Sequence, residues 1–311
     1  MMNSRLTSLL PEEIRQKLSS VTIRPYIRTQ GHLSGLHPST HTGQSLDFFE
    51  LRPYVQGEDP SRIDYKYYAK TDRLFVRNFY DETNMSCYLV LDASGSMSYP
   101  DEETTKARYA SAILSGLAYC LIRQNDAVGL VIASKDDPVF VAPKATASHL
   151  KVILETLLSA KVGGKNSVSR VLKELCTIPT RRGVIFVATD LLYDYEQTFK
   201  YLEALTAKGN IAVVLHCLSQ EEVTFPFQKH TLFVHNEQDE EVLVDARNIK
   251  KRYLDALSRF LQAVHDRALR ANIVYCKCFM DMPLVDTVLE CASMLNSYHS
   301  KLRKNWNAFR V

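Results

Sequence analysis

Asp92, Ser94 and Ser96 stand in the stretch LVLDASGSMSYP (residues 89–100), one carboxylate and two hydroxyls at i, i+2 and i+4 beyond an apolar run. Burying such groups without partners is costly, so the spacing asks for a ligand. A second apolar run, GVIFVATD (183–190), also ends in an acid, Asp190. If the two runs are neighbouring strands, their carboxylates converge on one crevice and the serines join them from the first loop. Oxygen donors of this kind suit Mg²⁺ or Mn²⁺ rather than zinc. With so few protein ligands the ion would keep waters and an open position. The plainer reading is local: Asp92 caps the following turn and the serines bond to backbone. The D-x-S-x-S spacing, taken with the second acidic strand end, favours the metal site.

The elements that must position these groups follow from periodicity. Cys87 to Leu91 is apolar and uncharged, as expected of a strand covered on both faces. A helix follows over 104–123, then short strands at 127–133 and 139–141. The acidic, Pro-containing link SKDDP between those strands is too short for a crossover helix and predicts a hairpin. Helices at 146–159 and 167–177, a strand at 183–190, a helix near 195–208 and the strand IAVVLHCL (211–218) continue the alternation. The rhythm breaks at 220–246, where TLFVHN and EVLVDA flank EQDE and predict a small β-hairpin insertion. A helix at 247–271, a strand at 273–279 and a last helix at about 283–295 restore it. Alternation of this kind predicts an α/β fold: a doubly wound, mostly parallel sheet with helices on both faces and ligands beyond the carboxyl ends of its strands. Ahead of it, residues 5–19 read as a short helix, and residues 20–84 as a turn-rich stretch with one strand at 74–79. The division expected is an extension at 1–84, the sheet domain at 85–295 and a basic tail at 296–311.

DASGSM (92–97) followed by a helix resembles the metal-ion-dependent adhesion site of von Willebrand factor A domains. Upstream, GQSLDFFELRPYVQGEDPSRIDYKYYAKTDRLFVRNFYDET (43–83) is similar to the signature of the bacterial family called domain of unknown function 58, in which such a segment precedes a divergent A-domain. The likeness covers about residues 30–295 and is most specific from Gly43 to Met97. It implies that Asp92, Ser94 and Ser96 form the first metal loop and that Asp190 belongs to the third. The second loop departs from the pattern. A-domains usually place a threonine after a glycine-rich turn, whereas this chain reads Gly163-Gly164-Lys165-Asn166-Ser167. Ser167 could supply the hydroxyl, Asn166 could supply a carbonyl, or the loop does not ligate. In A-domains that threonine is tied to the high-affinity state, so the departure implies weaker metal binding or an absent switch.

Composition excludes several other classes. The chain of 311 residues is 46% hydrophobic and 23% charged, which is ordinary globular usage. A formal charge of +3 is too mild to argue for nucleic acid. Arg52, Arg62, Lys66, Lys70, Arg73 and Arg77 interleave with tyrosines, but Glu58, Asp59, Asp64 and Asp72 offset them, which favours internal ion pairs. No apolar stretch approaches the ~20 residues of a bilayer span, and the N-terminus lacks a signal-peptide core. Seven scattered cysteines read as reduced thiols of a cytoplasmic protein.

Decoys fail on chemistry. GGKNS lacks the glycine at Ser159 and the hydroxyl at Asn166 that a P-loop needs. An aspartyl-phosphate enzyme would need a second acid at Ser94. His32, His37 and His41 have no nearby cysteine to complete a zinc set.

The resemblance implies a bacterial, non-enzymatic protein-binding module. In it Mg²⁺ or Mn²⁺, weakly bound, would bridge to an acidic residue of a partner. That partner would be a MoxR-type AAA+ ATPase or its client, in the assembly or activation of other proteins. Two other readings stay open: a structural adaptor with a decayed metal site, and a metal-dependent phosphohydrolase using the same acids.

Overall fold

The computed structural model describes residues 9–23, 48–56, 60, 63–79, 85–101, 104–135, 137–165, 167–178, 183–234 and 241–308. His32, His37 and His41, and with them Glu58, Asp59, Arg62 and Asn166, lie outside the described residues. The chain divides into two compact units, residues 30–84 and residues 1–29 joined with 85–311. The first helix, α1 (Glu12–Leu18), therefore belongs with the larger unit and not with the segment that follows it in sequence. Pro11 stands just before α1 at its N-cap, where an amide hydrogen would have no helical partner to lose.

The smaller unit is an antiparallel pair, β1 (Phe48–Pro53) and β2 (Phe75–Phe79), with α2 (Tyr65–Thr71) between them. Sequence periodicity signals β2 alone. Helix α2 is seven residues long and buries none of them, so it carries no apolar stripe to read. Its start is fixed by Asp64, whose Oδ1 accepts from the amides of Lys66 and Tyr67 at 3.0 Å each. The ion pairs expected here are not formed by Lys66, Lys70 or Arg73 among the described residues.

In the larger unit β3 (Ser86–Asp92) leads through a short 3-10 turn (Gly95–Ser98) into α3 (Lys106–Arg123). Then come β4 (Ala127–Ala133), β5 (Val139–Lys144), α4 (Ala147–Leu158) and α5 (Val168–Thr177). They are followed by β6 (Gly183–Thr189), α6 (Tyr195–Ala207) and β7 (Ile211–Leu218). The insertion consists of α7 (Gln220–Thr224), β8 (His230–Val234) and β9 (Glu241–Asp245). Helix α8 (Ala246–Arg270), β10 (Val274–Phe279) and α9 (Leu284–Ala308) close the chain.

Six strands form one sheet in the order β10-β7-β6-β3-β4-β5. All neighbours are parallel except β4 and β5, which pair antiparallel as the SKDDP hairpin requires. The fold is thus the expected mostly parallel, doubly wound α/β sheet. Strand β3 sends the chain to β4 on one side, while the later strands β6, β7 and β10 build outward on the other. The winding reverses between β3 and β6, which opens a crevice beyond their carboxyl ends.

Each face of the sheet has its own core. Cys87, Leu89 and Leu91 of β3 join Leu18 of α1, Leu114 and Leu117 of α3 and Val288 of α9. Val90 on the opposite face joins Leu172 of α5, Phe199 of α6 and Val264 of α8. Every residue of β6 and β7 is buried, which is why their sequences read as unbroken apolar runs. The insertion hairpin is held by rings: Phe225 lies 4.7 Å from Tyr253 of α8 and 5.9 Å from Phe233 of β8, centroid to centroid. One expectation is corrected at the C-terminus. Helix α9 runs on to Ala308 instead of ending near 295, because no Gly or Pro follows Pro283 to stop it.

The β3–β6 junction admits no side chain at its start. A Cβ on Gly183 would stand 1.7 Å from the Ser86 carbonyl oxygen. Gly183→Ala should therefore force the strands apart and destabilise the protein by about 2 kcal/mol or more. Urea denaturation checks this, and a loss below about 0.5 kcal/mol, the usual range of surface changes, would contradict the close approach.

Candidate metal centre

Asp92, the last residue of β3, is fully buried. Its Oδ1 accepts from the Ser94 amide at 3.0 Å, and its Oδ2 accepts from the Thr189 hydroxyl at 2.7 Å. Thr189 ends β6, so the hydrogen bond ties the two strands at the edge where the crevice opens. The 3-10 turn brings Ser96 back beside Ser94, with their hydroxyl oxygens 3.2 Å apart and both residues buried. The local capping reading of Asp92 is thus half present, since one carboxylate oxygen does hold its own turn.

Ser167 enters from the second loop. The Gly163 amide donates to the Ala93 carbonyl, and the Gly95 amide donates to the Gly164 carbonyl, each at 2.9 Å. These bonds stitch the glycine turn to the loop that follows Asp92. Gly164 has φ +72°, a left-handed conformation that a Cβ disfavours. Ser167 then takes the N-cap position of α5 without capping it. Its hydroxyl is buried and has no hydrogen-bond partner among the described residues. A buried hydroxyl left this way costs about 1–3 kcal/mol.

Asp190 follows Thr189 and is also buried. Its Oδ1 accepts from the Leu192 amide at 3.2 Å. Its Oδ2 accepts from the Lys106 ammonium at 2.7 Å, and that ammonium donates equally to Glu222 Oε1 at 2.7 Å. Lys106 has no solvent exposure at all. Glu222 in turn closes a capping box with Ser219 at the start of α7. The Asp190 carbonyl accepts from His216 Nε2 at 2.9 Å, so Nε2 carries the hydrogen and Nδ1 is left to accept from the Tyr275 hydroxyl at 2.7 Å.

Thr189, Lys106, Glu222 and His216 escape the sequence reading. The pattern S-x-x-E at 219–222 is a visible capping-box signature, though it says nothing of a lysine across the crevice. Lys106 gives no signal, because a lysine at the start of a helix is ordinarily exposed.

Electrostatics set the character of the crevice. Burial, and then the Asp190 charge, push the Asp92 carboxyl well above the usual carboxylate range against the hydrogen bonds from Thr189 and Ser94. Burial also opposes the Lys106 charge, but Asp190 and Glu222 outweigh it and raise the ammonium above the usual lysine range. Two acids, Asp190 and Glu222, thus share one internal cation, and Asp92 stands beside Asp190. Among the described residues no group of three His, Cys, Asp or Glu side chains forms a metal cage. The donors at the strand ends are two carboxylates, Asp92 and Asp190, and the hydroxyls of Ser94 and Ser96, while Ser167 stands on the loop whose glycine turn is bonded to the Asp92 turn. That set fits a hard cation which retains water, and fits zinc or copper poorly.

Residues 50–260 match the family described as "Protein of unknown function DUF58". The chain belongs to that family. Among curated relatives it is 22% identical over 202 residues to the uncharacterized protein Rv1480 of Mycobacterium tuberculosis (strain ATCC 25618 / H37Rv), a match covering 64% of this chain and 63% of that one. The same figures hold for the uncharacterized protein Mb1516 of Mycobacterium bovis. The match thus spans a little under two thirds of the length of these relatives. Similar solved structures include the conserved hypothetical protein BatB from Bacteroides thetaiotaomicron, at 14% identity and a TM-score of 0.43 over 69% of this chain and 100% of that one. The SpRpn10 VWA domain is similar at 9% identity and a TM-score of 0.36, over 66% and 93%.

His216 gives the region a pH signature. Burial lowers its pKa from 6.5 to about 4, so between these values the unfolded chain takes up the proton first. Stability from this group is complete above pH 6.5 and is lost as pH falls toward 4. Wild type should lose about 2 kcal/mol more than His216→Gln between pH 7 and pH 5. Parallel losses in denaturant titrations at the two pH values would contradict the neutral buried imidazole.

Proposed function

We propose that this DUF58 protein is a non-enzymatic binding module whose crevice holds a divalent cation and, through it, a carboxylate of a protein partner. The observation that carries the reading is the buried Ser167 hydroxyl, which has no hydrogen-bond partner among the described residues and stands on a loop bonded to the Asp92 turn. Asp92, Ser94, Ser96, Ser167 and Asp190 would hold Mg²⁺ or Mn²⁺, directly or through water. The ion would supply a hard positive point for an aspartate or glutamate oxygen in a partly dry crevice. Thr189 orients Asp92, and the bonds between the 93–95 and 163–164 segments hold the two loops together.

A MoxR-type AAA+ ATPase, or its client, is the partner we assign, on the strength of the family resemblance carried by residues 43–97. A cytoplasmic setting is consistent with seven free cysteines, six of them buried. No helix among the described residues is long and apolar enough to cross a membrane. A second reading, a metal-free adaptor, is favoured by Lys106, which already sits on Asp190. A phosphohydrolase is disfavoured by Ser94, where the second acid would have to stand.

Isothermal titration of Mg²⁺ and Mn²⁺ into chelator-treated protein separates these readings. The metal-dependent module predicts saturable heat in wild type and none in Asp92→Ala, with capture of the ATPase partner only when metal is present. Absence of metal binding by wild type would favour the adaptor, and turnover of simple phosphoesters would revive the hydrolase.

A further inference from the structure

Lys106 is a lysine with no exposure to solvent, among the largest fully buried side chains of the described residues, and nothing in the metal-site pattern calls for it. Its ammonium bridges one acid of the crevice, Asp190, and one acid outside it, Glu222, at 2.7 Å each. Asp190 has both carboxylate oxygens engaged, one by the Leu192 amide and one by Lys106. A divalent ion using Asp190 would thus meet a positive charge already in place, and the two cations repel. The side chain has somewhere to go. Glu222 can keep the ammonium paired when Asp190 is drawn away, so no buried charge is orphaned. The Tyr99 ring, 5.8 Å from the ammonium, offers further support to a cation there.

We propose that Lys106 is a tethered internal cation that competes with the divalent ion for Asp190. The inference rests on the metal reading of the crevice. Without metal, Lys106 neutralises Asp190 and holds the ends of β6, α3 and α7 together. With metal, Asp190 turns to the ion and Lys106 remains with Glu222. Glu222 belongs to the first turn of the insertion, so occupancy of the metal site and the anchoring of that insertion are linked, each altering the other.

The test is calorimetric titration of Mg²⁺ and Mn²⁺ into wild type, Lys106→Met and Glu222→Gln, with thermal midpoints measured with and without metal. Lys106→Met removes the competitor. It should bind metal about tenfold tighter or more, and gain more in midpoint from added metal than wild type does. Glu222→Gln leaves Lys106 with Asp190 as its one acid and should bind about tenfold more weakly. If wild type binds metal and Lys106→Met binds no tighter, the competition is refuted while the metal site stands. If Lys106→Met fails to fold, Glu222→Gln decides: weaker binding supports the competition, and equal or tighter binding refutes it. No binding by wild type or either variant overturns the metal reading and the competition with it. Binding by Lys106→Met alone would overturn the exchange, because the ion would then never displace Lys106 from Asp190 in the wild-type protein.

Discussion

Parallel pairing of β3 with β6 carries Leu91 level with Ala188, and the residues that follow are Asp92 on one strand and Thr189-Asp190 on the other. Two carboxylates are thereby set at one buried edge, where like charges cannot both ionise cheaply. Much of the surrounding structure offsets that constraint. Thr189 donates to Asp92, backbone amides of the two following loops donate to each aspartate, and Lys106 brings a full charge to Asp190. Glu222 then steadies Lys106. The crevice is first of all a charge-balancing arrangement.

That arrangement depends on a rigid frame. Both faces of β3 are buried under helices, so neither aspartate can retreat into solvent by local fraying. Gly183 fixes how closely β6 approaches β3, and the 163–164 turn is bonded to the backbone on either side of Ser94. A frame of this kind suits recognition of a small hard ion, whose ligands must hold their places while the ion exchanges waters for a partner's oxygen.

The sheet was legible in the sequence because parallel strands buried on both faces leave unbroken apolar runs, as in GVIFVATD and IAVVLHCL. The hairpin at SKDDP and the insertion at 220–246 were legible from short polar links. The carboxylates were legible because they terminate such runs. What escaped was long-range. The lysine that pairs with Asp190 lies 84 residues away, and Glu222 is 116 residues from Lys106. No local pattern marks a buried lysine as different from an exposed one. Short elements without an apolar stripe, α2 and α7, escaped for the related reason that they bury nothing of their own.

As a cation site, the crevice would centre on Asp92, Ser94, Ser96, Ser167 and Asp190. Anomalous diffraction from crystals of the wild-type protein grown with Mn²⁺ tests it most directly. A cation site there predicts one strong manganese peak within coordination or water-bridged distance of Asp92 and the serines, with the Lys106 ammonium closer to Glu222 than to Asp190. A crevice without a peak, with Lys106 still seated on Asp190 at high Mn²⁺, would contradict it.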